Sequence, residues 1–193
     1  MIGVILNGGK SRRFGEDKSE YLLQAKPMIE HVFERLSRVF DQVILVGKPY
    51  KEMKFIEDHY TAGPLGGVLT ALEILDDHVF VVGCDMPLIM PEVLRSMCQL
   101  FEKQDIDALV PKLADGLHPL HAIYNKRIQE NLRWSMRLAD NSFRAAFSRS
   151  RVLYLEEDFF EKISNWRQSF INVNTKSDLI SLEVTACSER STG

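Results

Sequence analysis

Between Asn7 and Lys18 the chain sets three glycines, two arginines and two lysines into twelve residues, directly behind an apolar run, Ile2-Gly3-Val4-Ile5-Leu6. Glycines let a backbone approach a ligand closely and offer it several N–H groups. Arginine then meets an anion with a planar fork and lysine with a point charge. A buried strand that ends in such a loop fits a polyphosphate. Gly9-Lys10-Ser11 resembles the end of a P-loop, but that motif needs a further glycine five residues earlier, where this chain has Val4. Nor does the loop carry the G-x-G-x-x-G spacing of a dinucleotide fold. The plainer alternative is a surface loop of solvated charges.

A second chemical group follows another apolar run. Val79-Phe80-Val81-Val82 stops at Gly83-Cys84-Asp85-Met86-Pro87. In open α/β sheets, ligands sit beyond the carboxyl ends of the strands, at a topological switch point. If the two runs are neighbouring strands, Asp85 faces the basic loop. Mg²⁺ on a triphosphate needs such a partner, since it takes one or two carboxylates together with phosphate oxygens. Taken alone, Asp85 reads equally well as a turn residue or a helix cap.

The elements that must hold these groups alternate. Met28, Ile29, Val32, Phe33, Leu36 and Phe40 recur at helical spacing behind Pro27, which suits a first helical position. Residues 43–46 predict a buried strand and 54–56 a short one. Gly63-Pro64-Leu65-Gly66-Gly67 opens a helix with Leu65, Val68, Leu69, Leu72 and Leu75 on its core face, and Pro91 opens another with Val93, Leu94, Met97, Leu100 and Phe101 inward. Further strands are predicted at 108–110, 122–124, 152–155 and 170–173, and helices at 126–138, 142–149 and 175–183. Strands alternating with helices give an α/β class, with a largely parallel sheet covered on both faces.

Composition narrows the function classes. The 193 residues suit one domain, expected over 1–184, with 185–193 lacking apolar periodicity and fraying as a tail. A net charge of −3 does not fit a nucleic-acid binder. No apolar stretch approaches the ~18 residues of a membrane helix. Three cysteines without C-x-x-C spacing indicate neither a zinc site nor a disulfide framework, and a reduced cytoplasmic setting fits them. Met1 leads straight into the first run, with no basic n-region or cleavage signal.

With these residues in place, Leu6-x-Gly8-Gly9-x-Ser11-x-Arg13-x-Gly15-x-Asp17-Lys18 resembles the signature of the molybdenum cofactor guanylyltransferases. Gly63-Pro64-Leu65-Gly66-Gly67, Cys84-Asp85-Met86-Pro87, His118-Pro119-Leu120-His121-Ala122 and Asn172-Val173-Asn174-Thr175 follow in the family's order, so the likeness runs over nearly the whole chain. It implies a single-domain, Rossmann-like three-layer nucleotidyltransferase fold with a mostly parallel, mixed central sheet. It implies GTP and Mo-molybdopterin as substrates, the guanine dinucleotide cofactor and pyrophosphate as products, and Mg²⁺ as cofactor. It also implies transient contacts with cofactor-biosynthesis and molybdoenzyme-maturation proteins, with no nucleic acid and no membrane involved.

The resemblance also implies roles. Lys18 and Arg13 hold GTP phosphates, Gly8 and Gly9 form the backbone cradle, Leu6 and Gly63 border the nucleotide, and Asp85 holds Mg²⁺. Gly8 favours guanine, because related cytidylyltransferases tend to carry alanine there. Asp58 resembles the guanine-reading aspartate, and a carboxylate can accept from both N1–H and the exocyclic amine. On its own Asp58 reads as an exposed loop charge. Asn172, Asn174 and His118 fall on the pterin side. Asn172 and Asn174 also fit a bland role beside a helix cap, since Thr175-x-x-Asp178 resembles a capping box. The chain departs from the family at Asn7, where alanine is usual and where the turn beside the base or ribose is expected to change. The Gly15–Lys18 stretch is as short as the family permits. Two other readings keep the fold: a CTP-dependent cytidylyltransferase, and a non-catalytic nucleotide-binding regulatory module, which the presence of both Lys18 and Asp85 disfavours.

Overall fold

Ile2–Asn7 forms strand β1, and its residues from Gly3 to Asn7 are all buried. A strand enclosed on both faces reads as an unbroken apolar run, not as an alternation. The computed structural model describes residues 1–8, 21–60, 62–138, 142–175 and 177–178. Gly9, Lys10, Arg13 and Lys18, most of the 175–183 helix and the 185–193 tail lie outside the described residues.

After β1 come a small antiparallel hairpin, β2 (Leu22–Leu23) and β3 (Lys26–Pro27), and helix α1 (Met28–Leu36), so Pro27 closes the hairpin and stands one place before the helix. Strands β4 (Val43–Gly47) and β5 (Phe55–Ile56), helix α2 (Pro64–Leu75), strand β6 (Val79–Gly83) and helix α3 (Pro91–Phe101) follow. The second half holds β7 (Ala108–Leu113), β8 (Gly116–Leu117), β9 (His121–Tyr124), α4 (Gln129–Arg137), α5 (Phe143–Phe147) and β10 (Val152–Leu155). A 3₁₀ turn over Lys126–Ile128, begun by the Asn125 side chain accepting from Arg127 N–H, replaces the first turn expected of the 126–138 helix.

Among the described residues the sheet has the order β10-β7-β9-β6-β1-β4-β5, with β8 hairpinned on β7. β1 runs parallel to β4 and β6, β4 to β5, and β7 to β10, while β9 is antiparallel to both its neighbours. The chain moves from β1 outward to β4 and β5, then returns to place β6 on the other side of β1. That reversal is the switch point.

Alternate residues feed two cores. Ile5, Leu45, Phe80 and Val82 pack with α1 and α3 on one face. Val4, Leu6, Val46, Val79 and Val81 pack with α2, α4 and α5 on the other. Each fully buried aliphatic side chain contributes about 1.5–3 kcal/mol relative to exposure. The layers are therefore helix, sheet, helix.

The strand expected over 170–173 is overturned. Trp166–Phe170 is a 3₁₀ helix, and 171–174 join no ladder. Phe170 uses its ring to stack on His121, at 4.3 Å between centroids and 26° between planes. Val173 donates its N–H to the Asp85 carbonyl at 2.8 Å instead of to a strand.

Candidate active site

The carboxyl ends of β5, β4, β1 and β6 lie side by side along one edge of the sheet. Asp58 follows β5, Gly47 ends β4, Gly8 follows β1, and Asp85 follows β6. With neighbouring strands about 4.8 Å apart, the β5 and β6 ends are separated by about 14 Å, close to the reach of an extended nucleoside triphosphate. β9 runs the other way, so its first residue, His121, stands opposite Val82 at this same edge. The β7–β8 hairpin brings His118 there too.

At the β1 end, Asn7 is buried and donates its side-chain amide to Lys48 O at 3.0 Å, while Lys48 N–H donates to Asn7 O at 2.8 Å. Asn7 thus ties β1 to the residue after β4, and its amide turns toward β4. Gly47 makes that approach possible: its φ is +115°, and an added Cβ would lie 2.7 Å from Asn7 O. Gly8 is exposed, and a Cβ there would meet only Gly47 Cα at 3.9 Å among the described residues. Packing against the described residues does not demand glycine at position 8. Leu6 buries its side chain against Gly67 of α2 and accepts Cys84 N–H on its carbonyl at 3.3 Å. Its side chain belongs to the core, so any contact with a nucleotide is a backbone contact.

At the β6 end, Met86 N–H donates to Gly83 O and turns the chain. The Asp85 carboxylate folds back over Gly83, where a Cβ would run into Oδ1. No three His, Cys, Asp or Glu side chains gather into a metal cage among the described residues. A carboxylate at the switch point is compatible with a divalent cation that arrives on phosphate oxygens, since Mg²⁺ is seldom held by an all-protein cage.

At the β5 end, Asp58 Oδ1 accepts from Thr70 Oγ1 at 2.9 Å and from Tyr60 N–H at 3.0 Å. Gly63, with φ +65°, precedes the first turn of α2, which Pro64 opens. Helix α2 therefore directs its positive end toward the same edge.

The far side of Asp85 is built from the later segments. Val173 is buried and anchored on the Asp85 carbonyl, while Asn172 and Asn174 on either side of it are exposed. Thr175 Oγ1 accepts from Asp178 N–H, and Asp178 Oδ2 accepts from the N–H groups of Thr175 and Asn174. That is the reciprocal capping box, so the cap and an edge position coexist. His118 Nε2 lies 2.8 Å from Asp115 Oδ1, which holds the Asp115 carboxyl below its usual range, and its ring meets Phe170 edge-on at 5.2 Å. The structure thus brings Gly8, Asp58, Gly63, Asp85, His118, Asn172 and Asn174 to one edge, and Arg13, Lys18 and Gly9 lie outside the described residues. Sequence reasoning missed Thr70, Gly47 and Gly83. Thr70 and Gly47 matter through a neighbour supplied by another element and Gly83 through Asp85 two residues on, and the visible signal was a glycine at each of two strand ends.

A doubly covered sheet with Asp85 at its switch point, and a glycine-rich, basic sequence directly after β1, fits a nucleotidyltransferase. The family model of the MobA-like NTP transferase domain matches residues 3–153. A "Probable molybdenum cofactor guanylyltransferase" of Thermococcus kodakarensis is 36% identical over 190 residues, covering 93% of this chain and 92% of that protein. One of the same name from Natranaerobius thermophilus is 32% identical, with 93% of each covered. The crystal structure of molybdopterin-guanine dinucleotide biosynthesis protein A from Archaeoglobus fulgidus superposes with a TM-score of 0.85 at 31% identity, covering 98% of this chain and all of that one. The chain belongs to the MobA-like NTP transferases and, within them, to the molybdenum cofactor guanylyltransferase family.

Proposed function

We propose that the chain transfers GMP from GTP to the terminal phosphate of Mo-molybdopterin. A phosphate oxygen of the pterin attacks the α-phosphorus of GTP, the bond from that phosphorus to the β-phosphate oxygen breaks, and pyrophosphate leaves. The observation that carries the proposal is the division of one sheet edge by Asp85. Asp58 and Gly8 lie on its β5–β1 side, and His118 and the Asn172–Asn174 segment on its β9 and C-terminal side. A donor nucleotide and an acceptor each find a wall, with the acidic group between them. The relatives' names supply the guanylyl group, and that of the Archaeoglobus fulgidus protein the molybdopterin.

Little covalent chemistry falls to the protein in such a transfer. Positioning and charge neutralisation supply most of the rate. In this reading Gly8 and Gly9 lay backbone N–H groups against the phosphates, and Arg13 and Lys18 neutralise them. Asp58 takes the donor edge of guanine. Asn172 and Asn174 offer neutral donors and acceptors to the pterin, and His118 lies on the same side. Mg²⁺, held by Asp85, offsets charge on the phosphate oxygens when bound. Cys84 and Cys98 form no disulfide among the described residues, which fits a reducing cytoplasm, and no helix among the described residues is long and apolar enough to cross a membrane.

The test is pyrophosphate release from Mg²⁺, Mo-loaded pterin and each of the four nucleoside triphosphates. GTP is expected to turn over at least tenfold faster than CTP, ATP or UTP, because a site of hydrogen-bonding groups rejects a base that leaves them unpaired. Equal turnover of GTP and CTP would sink the guanine assignment.

A further inference from the structure

Thr70 is a hydroxyl in the middle of an apolar helix face. It is fully buried on α2 among Val68, Leu69, Ala71 and Leu72, all themselves buried. Valine would fill the same volume without placing a polar atom in the core, and a buried hydroxyl costs stability unless it is bonded. Its bonds have a fixed direction. The single hydroxyl proton goes to Asp58 Oδ1 at 2.9 Å, so the oxygen is left to accept from His59 N–H at 3.2 Å. With Tyr60 N–H also on Oδ1, two donors occupy one oxygen of the carboxylate. Among the described residues no hydrogen bond falls on Oδ2.

The rest of the loop is fastened to the same helix. Gly66, Thr70 and Glu73 stand at i, i+4 and i+7 and share one helical face. Gly66 gives Tyr60 room to lie on α2, for a Cβ there would sit 2.7 Å from Tyr60 Cβ and 3.2 Å from Tyr60 O. The Tyr60 hydroxyl donates to both Glu73 carboxylate oxygens at 3.0 Å. Arg133 of α4 holds Glu73 Oε1 through Nε at 2.8 Å and Nη2 at 2.6 Å. The segment Asp58–Tyr60 is thereby strapped along α2, with its outer end braced by α4.

We infer that Thr70 is the specificity-determining positioning residue of this site. Its hydroxyl fixes the Asp58 carboxylate by one oxygen and leaves the other for the donor edge of the purine, while Tyr60, Glu73 and Arg133 keep the loop from swinging off the helix. The inference rests on the proposal that Asp58 reads guanine. An aspartate on an unsupported loop samples several rotamers and meets the base in a fraction of them. Pinning one oxygen removes that freedom before the nucleotide arrives.

The test compares Thr70→Val, Thr70→Ser, Tyr60→Phe and Asp58→Asn with the wild-type enzyme, using GTP and CTP titrations by calorimetry, steady-state pyrophosphate release and melting temperature. Loss of one hydrogen bond to an ionised carboxylate is expected to raise the Thr70→Val KM for GTP about tenfold. kcat at saturating GTP should stay within about twofold, since the contact is made equally in the bound and reacting states. CTP affinity should not move, and Thr70→Ser should restore GTP binding. Tyr60→Phe, which keeps the Cβ beside Gly66 and removes only the hydroxyl, should raise the KM for GTP about threefold by loosening the outer brace. Wild-type GTP affinity in Thr70→Val overturns the inference. So does a parallel loss for both nucleotides that tracks the fraction folded. If Thr70→Val does not fold, an unchanged KM in Tyr60→Phe overturns it instead. Asp58→Asn with unchanged GTP affinity is a separate failure, which removes the guanine role of Asp58 itself.

Discussion

Replacing Gly83 by alanine puts a methyl group where the Asp85 carboxylate now lies. The built Cβ runs into Asp85 Oδ1, while the next atoms it meets are Asp85 Cγ at 3.6 Å and Asp85 N at 3.9 Å, both ordinary contacts. The collision is therefore with the end of a side chain that can turn, not with backbone. Alanine is otherwise acceptable at the end of β6, so the fold should lose about 1 kcal/mol or less. For a chain of this length that corresponds to a melting temperature lower by about 2–4 °C. The carboxylate must swing away by an ångström or more, and a misplacement of about 1 Å can cost about a hundredfold in rate. Gly83→Ala should thus lower kcat/KM about a hundredfold, or about 2.7 kcal/mol of transition-state stabilisation. It should also raise the Mg²⁺ concentration needed for half-maximal rate. Pyrophosphate release across a Mg²⁺ series, beside a thermal melt, measures both effects. Near wild-type turnover at every Mg²⁺ concentration would show that the reaction does not use the position of this carboxylate. A melting temperature lower by more than 10 °C would show that the backbone, and not the side chain, takes the strain.

Burial pushes the His121 ring down to about 3 from an ordinary 6.5. The unfolded chain takes up a proton below 6.5 that the folded one refuses, so this contribution to stability is whole above that pH and falls as pH drops toward 3. The loss is about 2 kcal/mol by pH 5, visible in urea midpoints; His121→Phe, which keeps a ring against Phe170, should lose less, and equal slopes would refute the assignment. Lys18→Ala should cut turnover at saturating GTP by at least about a hundredfold, with the melting temperature unchanged; near wild-type turnover would end its phosphate role. Asn172→Ala with Asn174→Ala should weaken pterin binding while GTP binding stays within about twofold and the Thr175–Asp178 cap keeps the melting temperature. A lower melting temperature with unchanged pterin affinity would leave the pair as structure only.

The strands covered on both faces were the most legible part of the sequence. The apolar runs of β1, β4 and β6 are unbroken because α1 and α3 cover one side and α2 and α4 the other. Their ends announce themselves through Asn7-Gly8 and Gly83-Cys84-Asp85 for the same reason, since a buried ladder must stop where polar residues begin. Phe170–Val173 carried a similar apolar run and is no strand. Phe170 is claimed by the His121 ring and Val173 by a carbonyl, partners that lie far off in the sequence. The direction of β9 was equally illegible, because alternation does not tell a parallel strand from an antiparallel one. Asp58 could be found only by resemblance, for its support comes from a hydroxyl twelve residues on that looks like an ordinary helix position. Asn7 was visible as an oddity. Its purpose was hidden until β4 lay beside β1.

The bond from Val173 to the Asp85 carbonyl sets an order of birth for the two halves of the catalytic cleft. As the chain leaves the ribosome, β10 completes the sheet at Leu155, and every element of the nucleotide half has already been made. The match to the family model likewise ends at residue 153. The Asn172–Asn174 part of the proposed acceptor side waits for Val173 to dock on Asp85. In that interval the nascent chain holds Gly8, Asp58 and Asp85 but not yet Asn172 and Asn174, so on the proposed roles the nucleotide side is synthesised before the last part of the acceptor side.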